Sequence, residues 1–153
     1  MDLYLLRHAK AEVVSLSGRD EERELTPEGV QRLDEKLPVL NPVLKGLEIV
    51  LTSPFRRTRQ TTCLVVESLA RPEIVQVCDF LAAGSMVEDV VSELSEYRRQ
   101  SILVVGHNPW ISELVSFFDE DQRGDFHLKT SQMAHLHFDD ELDSGLGRLV
   151  KVY

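Results

Sequence analysis

The sequence lacks several features that would assign it to a common class of protein. It has only two cysteines, Cys63 and Cys78, without the paired spacing of metal ligands. We expect Cys63 in a helix and Cys78 in a strand, both as buried thiols in a reducing compartment. No apolar run approaches the roughly 20 residues of a membrane span, and no basic N-terminal region precedes a long apolar core, as it would in a signal peptide. These absences predict a cytoplasmic protein.

Positive charge is also scarce. The chain carries 17 lysines and arginines against 26 aspartates and glutamates, a formal net charge of -9. Such a balance argues against general binding of nucleic acid or of anionic membranes, although it leaves room for a local basic pocket. With 153 residues, a hydrophobic fraction of 42% and no repeat or linker, the chain is expected to form a single domain over 1–153.

The chain does contain short apolar runs that alternate with helical patterns. Strands are expected at 2–6, 47–51, 74–77 and 102–105, followed by a hairpin of 134–138 and 149–153. Helices are expected from Thr26, at 54–69, at 86–97 and at 110–118. Thr26 should cap the first helix, with Pro27 at its first position, and Pro38 and Pro42 should close it. This order predicts an α/β fold, a three-layer α/β/α sandwich with a mostly parallel central sheet and helices on both faces.

Chemically active side chains follow three of the expected strands. Arg7 and His8 end the first strand, Ser53 and Arg57 follow the second, and His107 follows 102–105. Open α/β sheets bind ligands beyond the carboxyl ends of their strands. A guanidinium group binds a phosphate through two parallel hydrogen bonds. A neutral imidazole can accept a phosphoryl group covalently, while a second, protonated imidazole binds the phosphoryl oxygens. The pattern therefore predicts a phosphoryl-transfer site.

Four segments occur in the order typical of one known family. They are LRHA at 6–9, LTPEG at 25–29, SPFRRTRQT at 53–61 and VVGHNP at 104–109. Together they resemble the motifs of the histidine phosphatase (phosphoglycerate mutase-like) superfamily, over the whole chain. The short length and the segment KTS at 129–131 resemble its SixA-type phosphohistidine phosphatase branch.

This resemblance assigns roles to individual residues. It implies that His8 is the nucleophile, that no cofactor or metal is required, and that Arg56 and Arg59 lie outside the site. The residues that it implies for phosphate or substrate binding are Arg7, Arg57, His107, Ser53 and, near the pocket mouth, Arg23.

The sequence departs from the family pattern at two places. Ala9 stands where the family has glycine. An alanine is tolerated there only if the backbone at that position has a negative φ. For the general acid the best candidate is Asp79, ahead of Glu88 and Asp89. An imidazole leaving group has a pKa near about 6.5, whereas an alkoxide has one closer to about 15.7, the value for water, and needs a well-placed acid. The weak acid position therefore favours a phosphoramidate substrate over an alkyl phosphate ester.

The predicted function is a metal-independent phosphatase that acts on phosphohistidine in a partner protein, such as a phosphotransfer domain. A small-molecule phosphomonoesterase and a non-catalytic phosphate-binding module remain as alternatives. A mutase is the least favoured, because no insertion would shield a diphosphorylated substrate from water. The charged loop 15–24 should lie at the mouth of a shallow, open pocket. His135 and His137 share a strand face and are expected to face solvent rather than bind a metal.

Overall fold

The computed structural model describes residues 1–97, 101–122, 124, 126–139 and 142–153. Its strands are β1 (Asp2–Arg7), β2 (Ile49–Thr52), β3 (Val75–Val77), β4 (Ser101–Gly106), β5 (Met133–Phe138) and β6 (Gly147–Val152). Its α-helices are α1 (Pro27–Val43), α2 (Arg56–Ser68), α3 (Val87–Ser95) and α4 (Trp110–Phe118). Apart from the end of α1, these bounds agree with the expected ones to within about two residues.

All six strands form one mixed sheet in the order β3-β2-β4-β1-β5-β6. The first four strands of the chain pair in parallel, and β5 and β6 continue the sheet as antiparallel strands. The predicted α/β class and mostly parallel sheet are therefore confirmed. Among the described residues, no helix is long and apolar enough to cross a membrane.

The two faces of the sheet bury separate apolar clusters. Leu3 and Leu5 of β1 pack in a cluster with residues of α3 and α4, whereas Tyr4 and Leu6 pack in one with residues of α1 and α2. Successive strand residues point to opposite faces, so β1 contributes to both layers. Each fully buried leucine contributes about 1.5–3 kcal/mol. The predicted three-layer sandwich is thereby confirmed.

Helix α1 continues further than the sequence predicts. Pro38 and Pro42 were expected to close it, but both lie inside the helix, which ends at Val43. Each proline removes a helical hydrogen bond, at a cost of about 3 kcal/mol or more. The prolines are exposed, whereas Leu40 and Leu44 beside them are buried. Burial of these leucines offsets part of this cost, which local sequence rules cannot anticipate.

Helix α2 buries more polar residues than its apolar pattern suggests. The prediction of a buried Cys63 is wrong, because its thiol is exposed, while Cys78 is buried as expected. Beside Val65 and Val66, the buried face carries Thr58, Thr61 and Thr62. Their hydroxyls all donate hydrogen bonds to buried acceptors. A satisfied polar stripe of this kind is invisible to a search for apolar periodicity.

Candidate active site

Three adjacent strand ends form the centre of the candidate site. In the sheet order β2-β4-β1, Ser53 follows β2, His107 follows β4 and His8 follows β1. Backbone hydrogen bonds continue past the strands: the Ser53 N–H donates to Val105 O at 3.2 Å, and the His8 N–H donates to Gly106 O at 3.1 Å. The three side chains therefore emerge side by side from a rigid edge of the sheet, as their strand-end positions predict.

Two glycines allow close packing around this edge. A Cβ on Gly106 would lie 2.1 Å from the ring of Trp110, and a Cβ on Gly29 would lie 2.1 Å from Lys10 O. Trp110 packs under the chain that leads to His107, and Gly29 lets the start of α1 touch the segment after His8. A larger residue would have to displace the ring of Trp110 at position 106, or the backbone of Lys10 at position 29, each close to a histidine of the site.

The imidazole of His8 is held in one tautomer. Its Nδ1 lies 2.7 Å from Ala9 O. A carbonyl oxygen only accepts hydrogen bonds, so Nδ1 carries the proton. Nε2 then keeps its lone pair and accepts a hydrogen bond from Arg57 Nε at 3.3 Å. His8 therefore presents a nucleophilic nitrogen beside a guanidinium group.

Ala9 is compatible with the backbone at the position where the family has glycine. In the described part of the chain, only Ala70 and Ser131 among non-glycine residues have a positive φ. Ala9 is fully buried, and its N–H donates to Thr61 Oγ1 at 3.1 Å. Ala9 therefore has the negative φ that an alanine requires at this position.

Arg57 is oriented by a carboxylate that the sequence analysis missed. Its Nη1 donates to Asp20 O at 2.8 Å and its Nη2 to Asp20 Oδ2 at 3.0 Å. Arg23 donates to Asp20 Oδ1 at 2.7 Å and to Glu12 O at 2.5 Å. Burial alone would raise the pKa of Asp20, but the hydrogen bonds and charges of the two arginines lower it. Asp20 is therefore an ionised positioning residue; as one of several acidic residues in loop 15–24, it carries no distinctive sequence signal.

Two buried nitrogen atoms of the site have no hydrogen-bond partner among the described residues, Arg7 Nε and His107 Nδ1. The other atoms of these side chains are fixed: Arg7 Nη1 donates to Leu128 O at 2.9 Å, and His107 Nε2 lies 2.8 Å from Ser53 Oγ. A buried donor without an acceptor costs about 1–3 kcal/mol. Both side chains therefore keep a ring or guanidinium nitrogen whose hydrogen-bonding capacity the described residues leave unused.

Both histidines are neutral in this arrangement. Burial, together with the charges of Arg57 and Arg7, lowers the pKa of His8 to about 4. Burial and the charge of Arg57 lower the pKa of His107 to about 3. The expectation of one protonated imidazole therefore does not hold for the site without its anion. A bound phosphate would favour the protonated form of His107, since an opposite charge raises the pKa of a histidine.

These pKa values predict a loss of stability in mild acid. An unfolded histidine takes up a proton near pH 6.5, whereas folded His107 does so only near pH 3, so the unfolded state binds more protons between these values. The free energy of unfolding should fall as the pH drops through this window. The free energy of unfolding is measured in urea at pH 7 and at pH 4.5. Its fall between the two pH values should be about 2 kcal/mol smaller in His107→Gln than in the parent. His127→Gln, at an exposed position, is the control and should behave as the parent; equal losses in all three proteins would contradict the assignment.

The structure leaves Asp79 outside the centre, together with Arg56 and Arg59, which the resemblance had already placed there. Asp79, the expected general acid, is exposed at the start of a short 3-10 helix and forms no hydrogen bond with the described side chains of the site. Arg59 is exposed. Arg56 is exposed as well and pairs with Glu24 at 2.9 Å. Neighbouring arginines of α2 therefore face different surroundings, with only Arg57 buried beside His8.

His135 and His137 form a separate small cluster. Both contact Asp2 Oδ1, at 2.8 Å from His135 Nε2 and 3.0 Å from His137 Nδ1. The sequence suggested that both histidines face solvent, but both are partly buried. The described residues include no group of three or more metal-binding side chains with suitable geometry.

Several solved structures with the same fold are described as phosphatases. No protein-family model and no curated protein matches the chain in sequence. A protein described as the phosphohistidine phosphatase SixA from Agrobacterium tumefaciens superimposes with a TM-score of 0.83 at 23% identity, covering 99% of this chain and 96% of its own. The protein histidine phosphatase SixA, solved with tungstate, gives 0.78 at 29% identity with the same coverage. The alpha-ribazole phosphatase from Shigella flexneri gives 0.74 at 18% identity, covering 97% and 94% of the two chains.

These similarities agree with the motifs and the geometry. The likeness to the two SixA proteins extends over nearly the whole chain, and the four motifs lie on the strand ends and helix starts described above. The chain therefore resembles the histidine phosphatase superfamily in its fold and, within that superfamily, the SixA phosphohistidine phosphatases.

Proposed function

We propose that this protein is a phosphatase that removes the phosphoryl group from a protein phosphohistidine through a covalent intermediate on His8. The observation that carries the proposal is the fixed tautomer of His8, with Nδ1 bound to Ala9 O and the lone pair of Nε2 directed at the guanidinium group of Arg57. The SixA neighbours support the same substrate class. We also propose that the site lies within one domain over 1–153, and that the protein is cytoplasmic.

In the first step, the lone pair of His8 Nε2 attacks phosphorus. The bond between phosphorus and the substrate imidazole breaks, and its electron pair stays on the imidazole nitrogen. Arg57 Nε, which contacts Nε2 before attack, then donates to a phosphoryl oxygen. Arg7 and His107 provide further nitrogens for the equatorial oxygens, where charge must be matched.

The leaving group explains why a strong general acid is dispensable. When the second ring nitrogen of the substrate phosphohistidine is protonated, the group departs as a neutral imidazole and requires no proton at the breaking bond. Asp79 is exposed, and the arginines keep Asp20 ionised. Neither carboxyl is set up to protonate an alkoxide, which favours a phosphoramidate over an alkyl ester.

In the second step, water attacks the phosphoryl group on His8. The bond between phosphorus and Nε2 breaks, the electron pair returns to Nε2, and the two hydrogens of the water leave with the phosphate as its dihydrogen anion. His8 then regains its starting tautomer, because the proton on Nδ1, which lies against Ala9 O, takes part in neither step.

A panel of substrates tests the proposal. The purified protein is incubated with several phosphohistidine proteins and with sugar phosphates, nucleotides and other small esters, and kcat/KM is compared. We expect at least about a 100-fold preference for a phosphohistidine protein, close to 3 kcal/mol of transition-state preference.

A small-molecule phosphomonoesterase is the second candidate. The alpha-ribazole phosphatase with the same fold favours it. A sugar phosphate or nucleotide turned over as efficiently as every phosphohistidine protein would replace the first proposal with this one. Binding of phosphate without any turnover would instead indicate a non-catalytic phosphate-binding module.

We further propose that no metal takes part, because arginine and histidine supply the positive charge. Activity should survive exhaustive chelation, and vanadate or tungstate should inhibit by occupying the oxyanion site between Arg7, Arg57 and His107. Turnover measured with and without chelator checks this. Loss of activity that a divalent ion restores would contradict it and would direct attention to His135 and His137.

A further inference from the structure

Three large apolar side chains are exposed on the segment that precedes Asp20, the residue that binds Arg57 of the candidate site. Val13 is 89% exposed, Val14 67% and Leu16 109%. Other exposed apolar residues, such as Val39 and Val150, occur singly along the chain. Clusters of exposed apolar side chains mark surfaces that a partner covers. We call residues 13–16 the apolar loop.

The apolar loop has a defined conformation. Ser15, between the exposed side chains, is buried, and its hydroxyl donates to Arg19 O at 2.6 Å. The Gly18 N–H donates to Ser15 O at 3.0 Å, and Gly18 has a φ of 76°, which closes a tight turn. These contacts point the serine inward and leave the flanking apolar side chains in solvent.

The same segment is joined to the phosphate-binding arginine. Glu12 N–H donates to Glu24 O at 2.8 Å, and Glu12 O accepts from Arg23, which binds Asp20. Asp20 in turn receives two hydrogen bonds from Arg57. Glu12, which directly precedes the apolar loop, is therefore linked to Arg57 through a short chain of hydrogen bonds.

Taken with the proposed function, on which this inference rests, the geometry points to the apolar loop as the docking surface for the substrate protein. The partner is a folded protein whose phosphohistidine is flanked by apolar side chains. With exposures of 67% and more, Val13, Val14 and Leu16 have almost no walls around them. The organic part of a small ester bound at Arg57 could not cover them, whereas the surface of a protein could bury them together.

A triple variant separates docking from chemistry. V13S/V14S/L16S in the full chain is assayed on a phosphohistidine protein and on phosphoramidate, which has the same P–N bond but no protein surface. We expect kcat/KM for the protein to fall by about tenfold or more, mainly through KM, and the value for phosphoramidate to stay within about twofold. The control V39S/V150S removes exposed apolar residues of α1 and β6 and should leave both values unchanged.

The outcomes distinguish failure of the docking surface from failure of the proposed function. A parent protein that hydrolyses phosphoramidate but no phosphohistidine protein would overturn both. If the parent hydrolyses a phosphohistidine protein and the triple variant matches it, only the docking surface is refuted. An equal loss on both substrates would also refute it, because the loop would then act on the chemistry; thermal denaturation of the variant shows whether such a loss reflects unfolding instead.

Discussion

His8→Asn should lose essentially all turnover, with less than about 0.1% of kcat remaining, as expected when a nucleophile is removed. Asparagine is close to histidine in size, and its amide N–H can replace the hydrogen bond from Nδ1 to Ala9 O. It has no ring nitrogen with a lone pair at the position of Nε2. Initial rates on a phosphohistidine protein, together with rapid quenching, measure the effect. The parent should yield an acid-labile phosphoenzyme and the variant none.

The matched control is His127→Asn, at an exposed histidine near Arg7. It should leave the phosphoenzyme intact and kcat within about tenfold of the parent. If His8→Asn kept more than a few per cent of the activity, His8 would not be the nucleophile. A phosphoenzyme that still formed in the variant would locate the covalent step on another side chain.

Arg57→Ala should lower kcat/KM by about 10²–10³-fold, the usual loss when one preorganised donor to a developing anion is removed. Arg57 is 4% exposed and makes hydrogen bonds to both His8 and Asp20. Its charge is therefore rigidly held and poorly screened by solvent. Arg57→Lys should recover only part of the loss, because an ammonium group cannot contact Nε2 and Asp20 together.

The neighbouring arginine of α2 provides the control. Arg56 is exposed and paired with Glu24, an arrangement that contributes about 0–1 kcal/mol. Arg56→Ala should change kcat/KM by less than about threefold. The affinity for tungstate should fall in the Arg57 variant and stay unchanged in the Arg56 variant. Equal losses in the two variants would show that the phosphate is bound by a different part of α2.

Much of the fold was predictable because its signals are local. The apolar runs of β1, β2 and β4 are short and end in polar residues, which is typical of buried parallel strands. Thr26 caps α1 as predicted, with its Oγ1 accepting from the Gly29 N–H at 3.0 Å. The predictions were wrong where long-range contacts outweighed local preferences, as at Pro38 and Cys63. There, burial elsewhere on the helix decided the outcome.

The candidate site divides in the same way. The sequence by itself determined which side chains stand at the strand ends, because residue type and chain order are sufficient to place Arg7, His8 and His107 at one edge of a parallel sheet. Only the tertiary structure decided the protonation of the two histidines, since their low pKa values come from burial and from the charge of Arg57, far away along the chain.

The acidic partner of the site was likewise decided by tertiary structure. Asp20 and Arg57 are 37 positions apart in the sequence, and nothing in a loop with several carboxylates shows which one will meet the guanidinium group. Asp79, which the sequence favoured as the acid, lies exposed beyond β3. Motif order is local information, whereas the identity of a charge partner depends on how a loop folds over the edge of the sheet, which only the packed chain determines.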